Sequence, residues 1–333
     1  MEKSSSRFDD KLAEMTYYEE YKAQESLFSI KAMLIREEQY IPQDYLSSAL
    51  QETEVNAERR SLLIEWCFRV VDHFGLCRNI VAYTMNYVDR FCSRYTASID
   101  HSAYKLVTTT ALYVSLKLHL GGTPCVKRKM YQNMQDQDKT ISWNTMAKVL
   151  PYLTNGEFTL DHLSRFEIIL LQSLGFLLNP PLPFSYLEHY IELFRPHLQD
   201  YVNPVNIQTF LSRCLIVANS QVDLATSDSS ILSTRPSLVA LASLLNAMDH
   251  VSNHNFNHPL WYSTVCQPSE KLIRCLSDHH ILSNYDIRDL QDKQGMLNRA
   301  YAMHFTAGYE EELCDLPRLS PTSTAEFESH QDC

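Results

Sequence analysis

The sequence predicts an all-α protein made of two tandem helical bundles. Three observations carry that reading. The 333 residues include only 7 glycines, a scarcity that disfavours sheets joined by many tight turns and suits helices joined by short loops. Apolar residues recur at intervals of three and four over much of the chain, the period of a helix with a buried face. The segment Asn179-Pro180-Pro181-Leu182-Pro183 cannot be helical throughout and divides these stretches into two series of about five. A chain of this length can bury two separate cores.

Residues 1–57 are polar, with a short helix expected over Leu27–Glu38, where Leu27, Ile30 and Leu34 form a stripe and Pro42 sets the limit. The first bundle starts at Glu58. Leu62, Leu63, Trp66, Cys67, Val70, Val71 and Phe74 recur at helical spacing, and Gly75 closes the run. A second helix begins near Asn79, with Ile80, Tyr83, Tyr87, Val88 and Phe91 on one side. The third, from about Ser102 to His119, is apolar almost all round, the mark of a helix enclosed by others, and Gly121-Gly122 ends it. Residues 120–142 read as a long polar surface loop. Trp143, Met146, Ala147 and Leu150 mark a short fourth helix. Leu163, Phe166, Ile169, Leu170 and Leu174 mark a strong fifth, closed by Gly175. The second series falls at about 184–194, 205–219, 236–249, 268–277 and 286–304. The expected division is an extension over 1–57, bundles over 58–178 and 179–305, and an acidic tail over 306–333, rich in Ser, Thr and Pro and expected to be disordered.

The formal charge of −11 lies in the flanks. Residues 1–57 hold 12 acidic and 6 basic side chains, and residues 306–333 hold 7 and 1. The bundles between them are almost neutral, a poor electrostatic footprint for nucleic acid. No apolar run approaches the length that spans a bilayer, and the N-terminal MEKSSSRFDDK has no apolar core, so neither membrane nor signal peptide is expected. The nine cysteines form no CxxC pair, and Cys67, Cys92 and Cys214 sit in apolar stretches. Buried thiols in a reduced intracellular compartment, nuclear or cytoplasmic, are the expectation.

Catalytic motifs are absent: no glycine-rich phosphate loop, no HExxH, no GxSxG. His250, His254 and His258 recur every four residues, but the intervening Ser and Asn residues and Pro259 favour a loop. No catalytic residue, metal or cofactor is expected, and the chain is not expected to be an enzyme.

Several segments resemble a known family. Arg59-Arg60-Ser61-Leu62-Leu63-Ile64-Glu65-Trp66 resembles the start of the cyclin box, and Asn86-Tyr87-Val88-Asp89-Arg90-Phe91 its second-helix signature. Ser115-Leu116-Lys117 resembles the site of the box's lysine and Arg165-Phe166-Glu167 that of its glutamate. Leu171, Leu174, Gly175 and Phe176 match the close of the box; Pro180-Pro181 and Phe184 resemble the passage to a second cyclin fold. Arg36–Pro42 and Asp44-Tyr45-Leu46 look like the run-in of plant and algal D-type cyclins, although no LxCxE is present. The resemblance implies two five-helix cyclin-like domains, the second less clearly matched than the first. It also implies a heterodimer with a cyclin-dependent protein kinase, whose substrates and inhibitors are further partners, and a role in cell-cycle control.

On that resemblance Lys117 and Glu167 meet at a groove and bind kinase backbone, with Leu118, Leu171 and Leu178 supplying apolar surroundings. From the residues alone the pair also fits a helix-end lysine and a solvent-facing glutamate. Two departures stand out: His119 and Leu120 replace the usual acid after the lysine, and the passage from Lys117 to Glu167 is long. Leu62, Leu63 and Trp66 fall where cell-cycle cyclins dock Arg-x-Leu motifs, and the same spacing fits plain core. Arg69 and Lys105 place positive charge there. Arg195-Pro196-His197-Leu198 followed by Asn203 fits a destruction-box pattern by chance inside a folded domain. Leu319-Ser320-Pro321 with Thr324 offers a proline-directed phosphosite at Ser320 and Thr324 in the tail. The rival readings are a TFIIB-like transcription adaptor, a cyclin-fold scaffold and an all-α enzyme. Lys127-Arg128-Lys129 is too short a cluster to serve as an import signal.

Overall fold

The structure, a computed structural model, describes residues 2–46, 55–95, 99–120, 143–198, 204–254 and 268–306. Among these residues there are eleven α-helices and no strand. They are α1 (Glu2–Glu37), α2 (Ala57–His73), α3 (Asn79–Arg94), α4 (His101–Leu120), α5 (Trp143–Leu153) and α6 (Leu160–Ser173). After the proline-rich passage come α7 (Pro183–Phe194), α8 (Pro204–Ser227), α9 (Pro236–His254), α10 (Pro268–Asp278) and α11 (Ile287–Thr306).

The helix ends follow local chemistry. The Asn56 side chain accepts the Arg59 N–H at 2.8 Å and starts α2. Asp100 does the same for Ala103 at 2.7 Å ahead of α4, and Thr159 with His162 forms a capping box ahead of α6. Helices α7 to α10 each begin on a proline, where the missing N–H costs nothing. At the end of α6, Gly175 and Phe176 both take positive φ, +61° and +58°, and the Phe176 N–H returns to the Leu171 carbonyl at 3.0 Å.

Each set of five wraps its third helix. Every residue of α4 from Val107 to Leu116 is buried, and α2, α3, α5 and α6 pack around it. Likewise every residue of α9 from Ser237 to Met248 is buried, under α7, α8, α10 and α11. Two clusters of buried side chains result, one centred on Leu112 and Leu116, the other on Leu241 and Leu245. Cys67, Cys92, Cys214 and Cys275 are free and buried in these clusters. Burial pushes their thiols up, that of Cys275 to about 11.

Two helices depart from expectation. The short helix expected at Leu27–Glu38 belongs to α1, which has 36 residues. Neither glycine nor proline interrupts residues 2–41, and good helix formers fill them. Tertiary contact anchors the far end: Ile30 is fully buried in the second cluster, and α1 packs along α7. The loop expected around His250 and His254 is the end of α9, and the His250 ring meets Tyr301 edge-on at 5.6 Å. Packing on α11 outweighs the weak helix preference of the Ser and Asn residues there. His258, the 121–142 segment and the tail lie outside the described residues.

Polar contacts join the two sets. Arg78 forks onto Asp72 at 2.6 and 2.8 Å and reaches Asp223 of α8 at 3.1 Å. At the end of α1 the Glu37 carboxylate is fully buried and accepts the Ser237 N–H at 3.1 Å and its hydroxyl at 2.8 Å. It thereby caps the N-terminus of α9, where the helix dipole favours negative charge. Burial outweighs the Ser237 hydrogen bonds and the nearby Arg235 cation, and holds the Glu37 carboxyl above its ordinary 4.5. A raised folded-state pKa means that the folded protein binds more protons than the unfolded chain just above that ordinary value. Glu37 therefore contributes most stability below the ordinary value, and this contribution is lost as pH rises through the raised one. Replacing Glu37 by Gln removes the dependence. Urea unfolding from about pH 4 to pH 8 should show the stability of Glu37→Gln relative to wild type rising across that window, then levelling. A flat difference would contradict the assignment.

Candidate functional site

Lys117 lies in the last turn of α4 and Glu167 in the middle of α6. The Lys117 ammonium donates to both Glu167 oxygens, at 2.9 and 3.2 Å. The pair is more open than two charges in apolar helices suggest: the Lys117 side chain is 46% exposed and that of Glu167 14%. The lysine also lies 5.8 Å from the centroid of the Tyr113 ring. Leu118 is exposed, while Leu171 and Leu178 are half-buried against the first cluster. His119, where the resemblance leads one to expect an acid, stacks on Tyr83 at 3.9 Å, and burial lowers its pKa.

Next to Glu167 in α6 stand Ile168 and Ile169, both more than half exposed, with Phe176 exposed just beyond the helix. Sequence reasoning passed over these side chains or placed them in the core. The signal was the run Phe166-Glu167-Ile168-Ile169-Leu170-Leu171, which holds more apolar residues than one buried stripe can use. An exposed apolar surface around a presented charge pair is suited to holding a partner.

The frame beneath α6 comes from α3. Arg90 donates to the carbonyls of Leu177 at 2.8 Å and Leu174 at 3.1 Å, and Arg94 to that of Ser173 at 2.6 Å. These cations meet the negative end of the α6 dipole. Burial, and secondarily Arg94, lowers the Arg90 pKa to about 10. Tyr87 donates to the Leu178 carbonyl, Asn86 to that of Tyr40 at 2.9 Å, and the Phe91 ring lies 5.8 Å from Phe166. The Asn86–Phe91 segment thus fixes both the end of α6 and the passage after it.

Asp89 of the same segment pairs with Arg60 of α2. Two bonds of 3.0 and 2.8 Å join them, and the two side chains are only 4–5% exposed. Tyr45 donates to Asp89 at 2.8 Å, and Arg60 reaches the Thr226 carbonyl in α8 at 3.1 Å. Burial opposes the Arg60 charge, but the Asp89 carboxylate more than offsets it and raises the Arg60 pKa. Both residues were visible in the sequence, and their pairing was not.

Of the second candidate surface, Leu62 is 56% exposed, while Leu63 and Trp66 are half-buried against the first cluster. The neighbouring cations have partners of their own: Arg69 lies 3.9 Å from Glu65, and Lys105 lies 3.3 Å from Glu157. Ser320 and Thr324 fall outside the described residues. A separate group of metal-ligating side chains, His197, Cys275 and His279, gathers in the second helical set.

Residues 29–179 match the family described as cyclin, N-terminal domain. This span holds α2 to α6 and the Lys117–Glu167 pair. Two curated relatives are a G2/mitotic-specific cyclin-A of Hydra viridissima, 24% identical over 77% of this chain and 48% of its own, and Cyclin-B2-1 of Arabidopsis thaliana, 22% identical over 62% and 39%. The chain carries a cyclin N-terminal domain. It spans less than half the length of those two cyclins. The G1/S-specific cyclin-D1 of Homo sapiens is 22% identical over 75% of this chain and 73% of its own. Identities this even across A, B and D types set no one type apart. A viral cyclin from herpesvirus saimiri shares the fold, with a TM-score of 0.53 at 15% identity, over 84% of this chain and 98% of its own. Among the described residues, no helix is long and apolar enough to cross a membrane.

Proposed function

We propose that this protein is a non-catalytic regulatory subunit that binds and activates a cyclin-dependent protein kinase, and helps select its substrates. The observation that carries the reading is the Lys117–Glu167 pair, held between α4 and α6 and bordered by exposed Leu118 and Ile168. In this reading Lys117, Glu167, Leu118, Leu171 and Leu178 hold the kinase, and Leu62, Leu63 and Trp66 dock its substrates. The kinase-binding bundle covers 58–178, a second cyclin-like bundle covers 179–305, and the segments 1–57 and 306–333 flank them.

The mechanism is positional. A protein kinase is active only when its αC helix carries a glutamate inward to the catalytic lysine. A rigid surface that binds the inward position better shifts the population toward it. Moving a kinase from almost wholly off to almost wholly on takes a differential affinity of about 5.5 kcal/mol, within reach of an interface of standard size.

The test is a pull-down from cells that make the protein, followed by histone phosphorylation, with the wild type beside Lys117→Ala and Glu167→Ala. The wild type should capture a kinase and drive phosphorylation, and each variant should lose most of both. A folded wild type that captures no kinase would sink the reading and leave a scaffold.

A further inference from the structure

We propose that His197, Cys275 and His279 form a binding site for a thiophilic transition-metal dication, zinc foremost. Cys275 lies in the last turn of α10, and His279, four residues on, stands in the turn just past its end, where its N–H returns to the Cys275 carbonyl at 3.3 Å. His197 reaches the same point from the 3-10 turn Arg195–Leu198 that follows α7. That turn is fixed by Arg195, which bonds Glu192 at 3.1 Å and Gln208 at 2.8 Å. The three ligand atoms all lie within 4.8 Å of one another.

Zinc takes imidazole nitrogen at about 2.0–2.1 Å and thiolate sulfur at about 2.3 Å, so tetrahedral neighbours stand about 3.3–3.6 Å apart. Small side-chain rotations would bring the present spacing to that value. One thiolate and two imidazoles select zinc over magnesium or calcium, which prefer oxygen donors. Exposure is graded from solvent to sulfur: His197 is exposed, His279 half-buried and Cys275 buried, which provides an entry path. The fixed charges acting on His279, from Lys31 and Asp278, are opposite in sign. As the ion binds, the Cys275 S–H bond breaks, the sulfur keeps the electron pair and donates it to the metal, and the proton passes to solvent. Water fills the fourth position. The bound ion ties α10 to the end of α7, the fourth and first helices of the second set, and this is independent of kinase binding.

The test uses the full chain, purified reduced and metal-free, and titrated with Co²⁺. The expected result is one equivalent bound, with tetrahedral d–d bands and a thiolate-to-cobalt charge-transfer band, both abolished by excess Zn²⁺. Cys275→Ser should remove the charge-transfer band. His197→Ala changes an exposed side chain and leaves the core intact; it should weaken Zn²⁺ binding more than about 100-fold, since even supporting residues cost up to that much. Zn²⁺ should also raise the melting temperature of the wild type and not that of His197→Ala. No stoichiometric Co²⁺ binding, or a spectrum unchanged in both variants because other cysteines hold the metal, would overturn the proposal.

Discussion

Replacing Arg60 with alanine is expected to cost about 3–5 kcal/mol of folding stability, read as a lower midpoint in urea unfolding. The cost is not the value of a surface contact. Asp89 is 4% exposed, and its two bonds to Arg60 would be lost while the Tyr45 hydroxyl alone still donated to it. A buried carboxylate left in that state lacks the cation that offsets its desolvation. The Thr226 carbonyl of α8 would lose its Arg60 donor too, so the damage reaches the contact between the two helical sets. Asp89→Ala should be similarly costly, since it strands the guanidinium. Replacing both partners by apolar residues, Arg60→Met with Asp89→Leu, should cost less than the sum of the single changes, because no lone charge remains. A single-variant cost below about 1 kcal/mol would place the pair among ordinary surface changes and contradict this account.

Exchanging the partners at the other pair, Lys117→Glu with Glu167→Lys, is expected to leave the fold intact and abolish kinase capture. Stability should move by less than about 1 kcal/mol, because an ion pair this open is worth little and the exchange preserves opposite charges. Recognition answers differently. A partner that reads a cation at the end of α4 and an anion on α6 meets both reversed. Losing such interfacial contacts costs about 2–5 kcal/mol, a drop in affinity of roughly 30-fold or more. The paired readout separates two roles. If the exchanged protein captured and activated a kinase like the wild type, the ion pair would be an internal strut between α4 and α6.

Much of the architecture was legible because it is written locally. The apolar run enclosed from Val107 to Leu116 announces a central helix, and Gly75 and Gly175 mark real helix ends with positive φ. The second series could be placed because Pro183, Pro236 and Pro268 punctuate it. What escaped depends on distant partners. The length of α1 depends partly on Ile30 being buried against helices encoded far downstream, a contact that no window of the sequence contains. Arg60 and Asp89 each look like a charge on a helix surface until α2 and α3 are laid together. The Lys117–Glu167 pair was found through a resemblance, since nothing local links residues fifty positions apart. Ile169 was counted in the buried stripe of the fifth helix, because an apolar residue at that spacing is ordinarily assigned inward, and Ile168 was passed over.

The latch between Glu37 and Ser237 spans 200 residues and closes α1 onto α9, across the whole of the first set. Translation therefore imposes an order of events. α1 leaves the ribosome well before α7 and α9, so its seat does not exist until the second set has emerged. At roughly 5–20 residues per second that delay is about 10–40 s, far longer than a helix takes to form. The first five-helix set can condense around α4 in the meantime, while Ile30 and its stripe stay solvated and open to chaperones. α1 is thus made before the surface it docks on, and its seating waits for the second set.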